Sequence, residues 1–277
     1  MKKKKIKRKK GYIILTIIIL LVIVLCLVTT EKLTTVRYTY ETDKLEAPLR
    51  VAMVSDLHSC YYGENQRDLT DALDAEKPDA VLLGGDIFDK SLKNDNAYTF
   101  LEYIAGRYPC YYVTGNHEYA RREVVTIKKN LTALGITVLD GECARLNVGS
   151  ETVNICGIDD FGAVGERTAR AQLKRASEGA DEDNLTILLS HRPREAEEYL
   201  KYGFDLILCG HTHGGQWRIP GVMNGFFVPS DGFFPKYAGG EYTLDGATMI
   251  VSRGLARESH PVPRIFNSPE LVIIDIV

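Results

Sequence analysis

Hydrophobic positions follow three rhythms along the chain. Over residues 12–28 they are continuous, broken only by Thr16. Over 34–41 they alternate, with Val36, Tyr38 and Tyr40 set against Thr35, Arg37, Thr39 and Glu41, which predicts a half-exposed strand. Beyond that point, short apolar runs at 49–55, 79–83, 110–114, 185–190 and 205–209 read as buried strands. Helical spacing at 66–76, 94–106, 121–134, 166–178 and 193–202 separates or flanks them. Between 136 and 158 the rhythm shortens to strands at 136–139, 144–148 and 152–158 with glycine-containing turns, a more antiparallel pattern. Residues 218–240 are rich in Gly, Pro and Phe and read as a long loop, and 248–252 and 271–277 as the last strands. The predicted fold class is α/β, in one domain over residues 31–277 with no internal repeat and no linker.

Charge changes the reading of the N-terminus. Eight of the 34 Lys and Arg residues and no acid fall within residues 1–10, which leaves 26 basic against 37 acidic residues, a net −11, for the rest. An acidic body has no general electrostatic attraction for nucleic acid, and no nucleic-acid partner is expected. The basic block before the apolar run predicts a cytoplasmic head, residues 1–11, a transmembrane anchor, 12–30, and an extracytoplasmic domain behind it in the cell membrane. No small-x-small pattern follows the run, so an uncleaved single-pass anchor is preferred to a signal peptide.

The six cysteines show no CxxC and no regular spacing, which argues against a disulfide framework. Cys110, Cys156 and Cys209 sit in apolar runs and read as core, while Cys60, after the first polar motif, is the thiol expected to be exposed near a site.

The chemistry lies where the buried runs stop. Five of them end in Asp56-x-His58, Gly85-Asp86-x-x-Asp89, Gly115-Asn116-His117-Glu118, Ser190-His191 and Gly210-His211-x-His213. Ligands in open α/β sheets gather beyond the carboxyl ends of strands. Five of the six histidines are in these motifs, and only His260 is left over. Imidazole with carboxylate and amide oxygen, without thiolate, suits borderline-to-hard divalent ions. The donors are too many for one ion and fit two ions roughly 3.5–4 Å apart, bridged by one carboxylate. Arg192 and Arg194 are candidates for a substrate phosphate, with a solvated helix start as the plainer reading; Arg218, Lys236 and Arg253 are weaker candidates. Trp217 and Phe226, Phe227, Phe233 and Phe234 read as packing for the long loop, with an apolar substrate groove as the other reading, and Tyr61-Tyr62 carry the same two readings.

These five blocks, in this order, resemble those of the calcineurin-like metallophosphoesterase superfamily, over roughly residue 49 to the C-terminus. GHTHGGQ at 210–216, Ser252-Arg253-Gly254-Leu255 and Arg264 to Pro269-Glu270 are similar to a branch of membrane-anchored bacterial phosphodiesterases that includes some UDP-diacylglucosamine pyrophosphatases. The resemblance implies a four-layer α/β/β/α sandwich of two mixed sheets behind one N-terminal transmembrane helix. It implies that Asp56, His58 and His213 hold one metal, that Asn116, His191 and His211 hold the second, and that Asp86 bridges them. His117 then stands outside the metal shell as the catalytic residue, a general acid or a donor to phosphate oxygens. Asp89 and Glu118 would orient ligands, with a loop or helix cap as the other reading of Asp89. The expected cofactors are two divalent metal ions, manganese first, with iron, zinc, nickel or magnesium as the others. The expected reaction is hydrolysis of a phosphodiester or pyrophosphate on an envelope or lipid-linked substrate, by a metal-bridging water without a phosphoenzyme. A phosphomonoesterase with the same site, a non-catalytic metal-binding module of this fold and an assembly protein with structural metals are the alternatives.

Overall fold

In the computed structural model, which describes residues 2–28, 32–259 and 262–277, the buried apolar runs become neighbouring strands of two sheets. In chain order the elements are α1 (Lys2–Val28), β1 (Thr34–Tyr40), β2 (Leu49–Val54), α2 (Arg67–Glu76), β3 (Ala80–Gly84), α3 (Asp95–Ala105) and β4 (Cys110–Val113). There follow α4 (Asn116–Ala120), α5 (Val124–Ala133), β5 (Thr137–Val138), β6 (Glu142–Val148), β7 (Glu151–Gly157), α6 (Phe161–Val164) and α7 (Glu166–Glu178). The last are β8 (Thr186–Leu189), α8 (Ala196–Tyr199), β9 (Leu206–Cys209), β10 (Phe227–Val228), β11 (Gly232–Phe233), β12 (Gly240–Leu244), β13 (Ala247–Val251) and β14 (Glu270–Ile276).

One sheet has the order β1-β14-β2-β3-β4-β5, the other β12-β13-β9-β8-β7-β6. Both are mixed: β2 to β5 and β7 to β9 run parallel, whereas β14 pairs antiparallel with β2 and β6 with β7. Side chains alternate across a strand, so each sheet has two faces to bury. Val51, Met53, Leu82 and Val113 of the first sheet meet Ile155, Ile187, Leu189 and Leu208 of the second in a shared core. The opposite face of the first sheet, with Ala52, Val54, Leu83 and Tyr112, packs on Leu69, Leu73, Phe100, Leu101 and Leu131 of α2, α3 and α5. That of the second, with Cys156, Leu188, Ile207 and Cys209, packs on Ala169, Leu173 and Ala176 of α7. The layers are therefore α/β/β/α.

Several expectations change. The helix read over 121–134 is α5 and begins only at Val124; a separate short helix, α4, precedes it, with Arg122 between them at φ 61. The helix over 193–202 is three short turns. The strand at 136–139 is not part of the antiparallel run, because its core, β5, lies parallel to β4 in the first sheet. Cys143 and Cys156 face each other in the β6–β7 register and are joined by a disulfide, a pairing that irregular spacing hid. Cys60 is buried rather than exposed, its thiol pushed up by burial. Tyr62 is also core, its hydroxyl donating to the Leu255 carbonyl at 2.6 Å, while Tyr61 is exposed.

At the N-terminus, Tyr12 and the aliphatic residues from Ile13 to Val24 are exposed on α1. Among the described residues, no helix is long and apolar enough to cross a membrane. The rest of the predicted anchor, side chains 25–28 and residues 29–30, lies outside the described residues, as does His260.

Candidate metal centre

Each predicted ligand lies two to four residues beyond the carboxyl end of a strand: Asp56 and His58 after β2, Asp86 after β3, Asn116 after β4, His191 after β8, His211 and His213 after β9. The first four come from one sheet and the last three from the other. The loops are tied to each other by backbone bonds, Asp56 to the Gly85 carbonyl at 3.0 Å, His58 to that of Asp86 at 2.9 Å and Gly210 to that of His191 at 3.1 Å. Across the two sheets, the His211 N–H donates to both Asp56 oxygens at 3.0 Å.

The turns that aim these side chains are strained. Asp56, His58, Asp86, His211 and His213 have φ values of 52, 49, 50, 73 and 49, in the left-handed region. Each such residue costs of order 1–3 kcal/mol and persists only where its surroundings hold it. Five at one place indicate a conformation kept for what the side chains do.

The predicted ligands form two groups. The ligand atoms of Asp56, His58 and His213 lie within 4.8 Å of one another, and so do those of Asp86, His191 and His211; His58, Asp89 and His117 make a third such group, which shares His58 with the first. His58 Nε2 faces His213 Nε2 at 3.3 Å, and His211 Nδ1 faces His191 Nε2 at 3.2 Å. Asp86 Oδ2 is 3.2 Å from His191 Nε2 and 3.7 Å from His58 Nε2, so it stands between the groups. Asn116 lines the same pocket and accepts from Arg192 Nη2 at 3.3 Å. Outer partners assign the tautomers. His191 Nδ1–H donates to the Gly84 carbonyl at 2.8 Å and His58 Nδ1–H to Asp89 at 3.2 Å, which turns both Nε2 atoms inward. His211 Nε2 lies 3.0 Å from both Ser230 Oγ and Arg192 Nη1, and because a guanidinium only donates, Nε2 is an acceptor there.

The electrostatics call for a cation. Burial alone would strip the proton from His191, but Asp86 beside it raises its pKa to about 10. Burial works to raise the Asp86 carboxyl, yet His191 and His58 hold it well below the usual carboxylate range. Burial and the Asp86 charge push Glu118 up to about 7. Buried acids thus draw positive charge to this spot, and facing imidazoles with carboxylates are the donor set a divalent ion takes.

The flanking residues fall out differently from the sequence reading. Asp89 has both roles: Oδ1 accepts the Ser91 and Leu92 N–H groups at 2.7 and 3.0 Å, while Oδ2 lies 3.2 Å from His58 and 3.1 Å from His117. Glu118 orients backbone rather than ligand side chains, accepting from the N–H groups of Gly115, Phe88 and Asp86 at 2.8, 3.1 and 3.2 Å. Arg192 is not a solvated helix start. Its guanidinium is gripped by Asp160 at 2.7 and 3.1 Å and reaches His211 Nε2 at 3.0 Å. Arg194 is half exposed and pairs with Asp231, Arg253 is buried against Glu270, and Lys236 is exposed. Asp160, Ser230 and Asn267, which donates to the His213 carbonyl at 2.7 Å, were not legible. Asp160 had a signal, since it too follows a buried strand end, at β7.

Gly85 shows how tightly the centre is built. Its φ is +85, and a Cβ there would lie 2.8 Å from His191 Nδ1 and 2.7 Å from the Gly115 nitrogen. Gly85→Ala should therefore lower stability by about 1–3 kcal/mol from backbone strain alone, read as a drop in the thermal midpoint. It should also lower metal content by displacing His191. An unchanged midpoint and metal content would show the loop to be slack.

Around the centre lies a pocket of about 960 Å³. Its remaining wall carries Trp217, Phe226, Phe227 and Phe233. Phe233 and Phe234 are about two-thirds exposed, so the plain packing reading of this loop does not hold for them.

The sequence profile of the calcineurin-like phosphoesterases matches residues 49–215. An "Uncharacterized metallophosphoesterase" of Aquifex aeolicus is 31% identical over 255 residues, 88% of this chain and 92% of its own length. "Phosphodiesterase YaeI" of Escherichia coli is 30% identical over 242 residues, 83% of each chain. A metallophosphoesterase of Helicobacter pylori is 30% identical over 178 residues, 63% of this chain, and there the chain spans about half of the relative's length, 47%.

Proposed function

The chain belongs to the calcineurin-like phosphoesterase family, and from that premise we propose that it is a metal-dependent phosphoester hydrolase that cleaves a phosphodiester or pyrophosphate bond at a two-metal centre with water as nucleophile. The observation that carries this reading is Asp86, whose one oxygen lies within 3.2 and 3.7 Å of imidazoles from both donor groups. Asp56, His58 and His213 would hold one ion and Asn116, His191 and His211 the other, with Asp86 placed within reach of both groups. Two divalent cations held there, manganese first, would supply positive charge to activate water and to neutralise phosphoryl oxygens. His117, at the pocket rim, protonates the leaving oxygen, and Asp89 holds its ring. A relative bearing the name phosphodiesterase supports a diester over a monoester.

The same reading places the enzyme on the cell membrane, with residues 1–11 cytoplasmic, 12–30 as a single-pass anchor and the catalytic domain outside, acting on an envelope or lipid-linked substrate. The Lys-rich head and the exposed aliphatic face of α1 support the anchor. The Cys143–Cys156 disulfide suits an oxidising compartment.

Elemental analysis of the purified full chain should find about two metals per chain. With Mn²⁺ present, turnover of bis-p-nitrophenyl phosphate should exceed that of p-nitrophenyl phosphate. The reverse preference would keep the centre and make the enzyme a monoesterase. One metal or none, with neither ester hydrolysed, would sink the mechanism.

A further inference from the structure

The metal ligands form only one side of their pocket. Facing them, Trp217 stacks on Phe226 with centroids 5.6 Å apart and planes at 16°. Phe233 meets Phe226 at 5.3 Å and Phe227 at 5.0 Å. These rings are not core: Phe233 is 65% exposed, Trp217 38% and Phe227 37%. Aromatic surface left in water on one side of a site marks a binding face, because its hydration cost is recovered only when something covers it.

The wall is also fixed relative to the reacting centre. Phe227 and Phe233 lie opposite each other in the β10–β11 hairpin. Its tip is latched twice: Ser230 Oγ lies 3.0 Å from His211 Nε2, and Arg194 Nη1 donates to the Ser230 carbonyl at 2.8 Å. The latch joins the wall directly to a proposed ligand. The cations that line the pocket are Arg192, beside Asn116 and His211, and Lys90, beside His117. A phosphoryl group at the centre therefore directs one of its substituents along uncharged rings.

We propose that this wall binds a hydrocarbon chain carried by the phosphoester, which makes Phe227 and Phe233 specificity-determining residues. The proposal rests on the phosphoesterase reading above and adds its substrate class. What carries it is continuity, since one pocket contains both the metal-type donors and the exposed rings.

The test uses the full chain and the methyl, butyl and hexyl esters of p-nitrophenyl phosphate. In the wild type, kcat/KM should rise about twofold per methylene, half the free energy of full burial, or about 30-fold from methyl to hexyl. In Phe227→Ser/Phe233→Ser the rise should shrink to about threefold or less, with the metal content of the wild type showing that the variant is folded. Equal kcat/KM across the series in the wild type would overturn the proposal and leave the wall as a contact for a membrane or another protein. Turnover of none of the esters would instead count against the phosphoesterase reading, and a second measurement then decides. Trp217 is the chain's one tryptophan, so its emission reports on the wall. Hexylphosphonate should bind about 30-fold more tightly than methylphosphonate and shift that emission to the blue, and the double variant should lose the difference. Equal affinities overturn the proposal independently of catalysis.

Discussion

Asp86→Ala should lose both metals and at least about a thousandfold in kcat/KM on a diester, roughly 4 kcal/mol of transition-state stabilisation. Asp86 is the carboxylate standing between the two donor groups, 3.2 Å from His191 and 3.7 Å from His58. Its other oxygen accepts the His117 N–H at 2.7 Å, so the same residue also sets the start of α4. Removing it takes away a shared ligand, the carboxylate facing His191 and a support of His117 together. Asp56→Ala is the comparison. Asp56 belongs to one donor group only, although it also anchors the His211 N–H across the sheets. Elemental analysis of both variants should find the larger deficit in Asp86→Ala. Two metals per chain with activity within tenfold of wild type would remove Asp86 from the bridging position.

His117→Ala should keep both metals and lose about 10²- to 10⁴-fold in kcat, the range of a positioned general acid. His117 is not among the proposed ligands, and its side chain keeps 19% exposure at the pocket. Its Nδ1 lies 3.1 Å from the Asp89 carboxylate. Burial works to lower its pKa, but the bond and charge of Asp89, with Asp86, raise it above the ordinary imidazole value. A general acid must carry its proton, so activity is present below the His117 pKa and is lost as pH rises through it. Asp89→Asn removes the group that raises it, and the alkaline limb of the kcat profile should move to lower pH. Because Asp89 also touches His58, metal content is measured on the same sample. Unchanged kcat in His117→Ala, or loss of metal from it, would end the acid assignment.

Much of this site is written in consecutive residues. A buried run ending in Ser or Gly and then Asp, Asn or His states locally that a strand stops and that a polar side chain stands at its end. Asp56, His58, Asp86, Asn116, His191, His211 and His213 were legible for that reason. The alternation of Val36, Tyr38 and Tyr40 likewise predicted β1 to within a residue. What the chain could not state locally is which ends meet. Thr34 pairs with Glu270, 236 positions on, and that pairing shapes the first sheet.

The unread residues share this cause. Arg192 looked like the start of a surface helix, because its grip by Asp160 depends on β7 and β8 lying side by side. Ser230 carried no signal at all, since a serine in a Gly- and Phe-rich loop acquires meaning only when the hairpin folds back onto His211. Cys143 and Cys156 face each other only through the β6–β7 register. Sequence alone therefore determined the strands, the polar residues at their ends and the class of chemistry, because each is set by neighbours in the chain. The packing of one sheet on the other decided the grouping of donors, the tautomers and the aromatic wall, because those are contacts between residues that only the tertiary fold brings together.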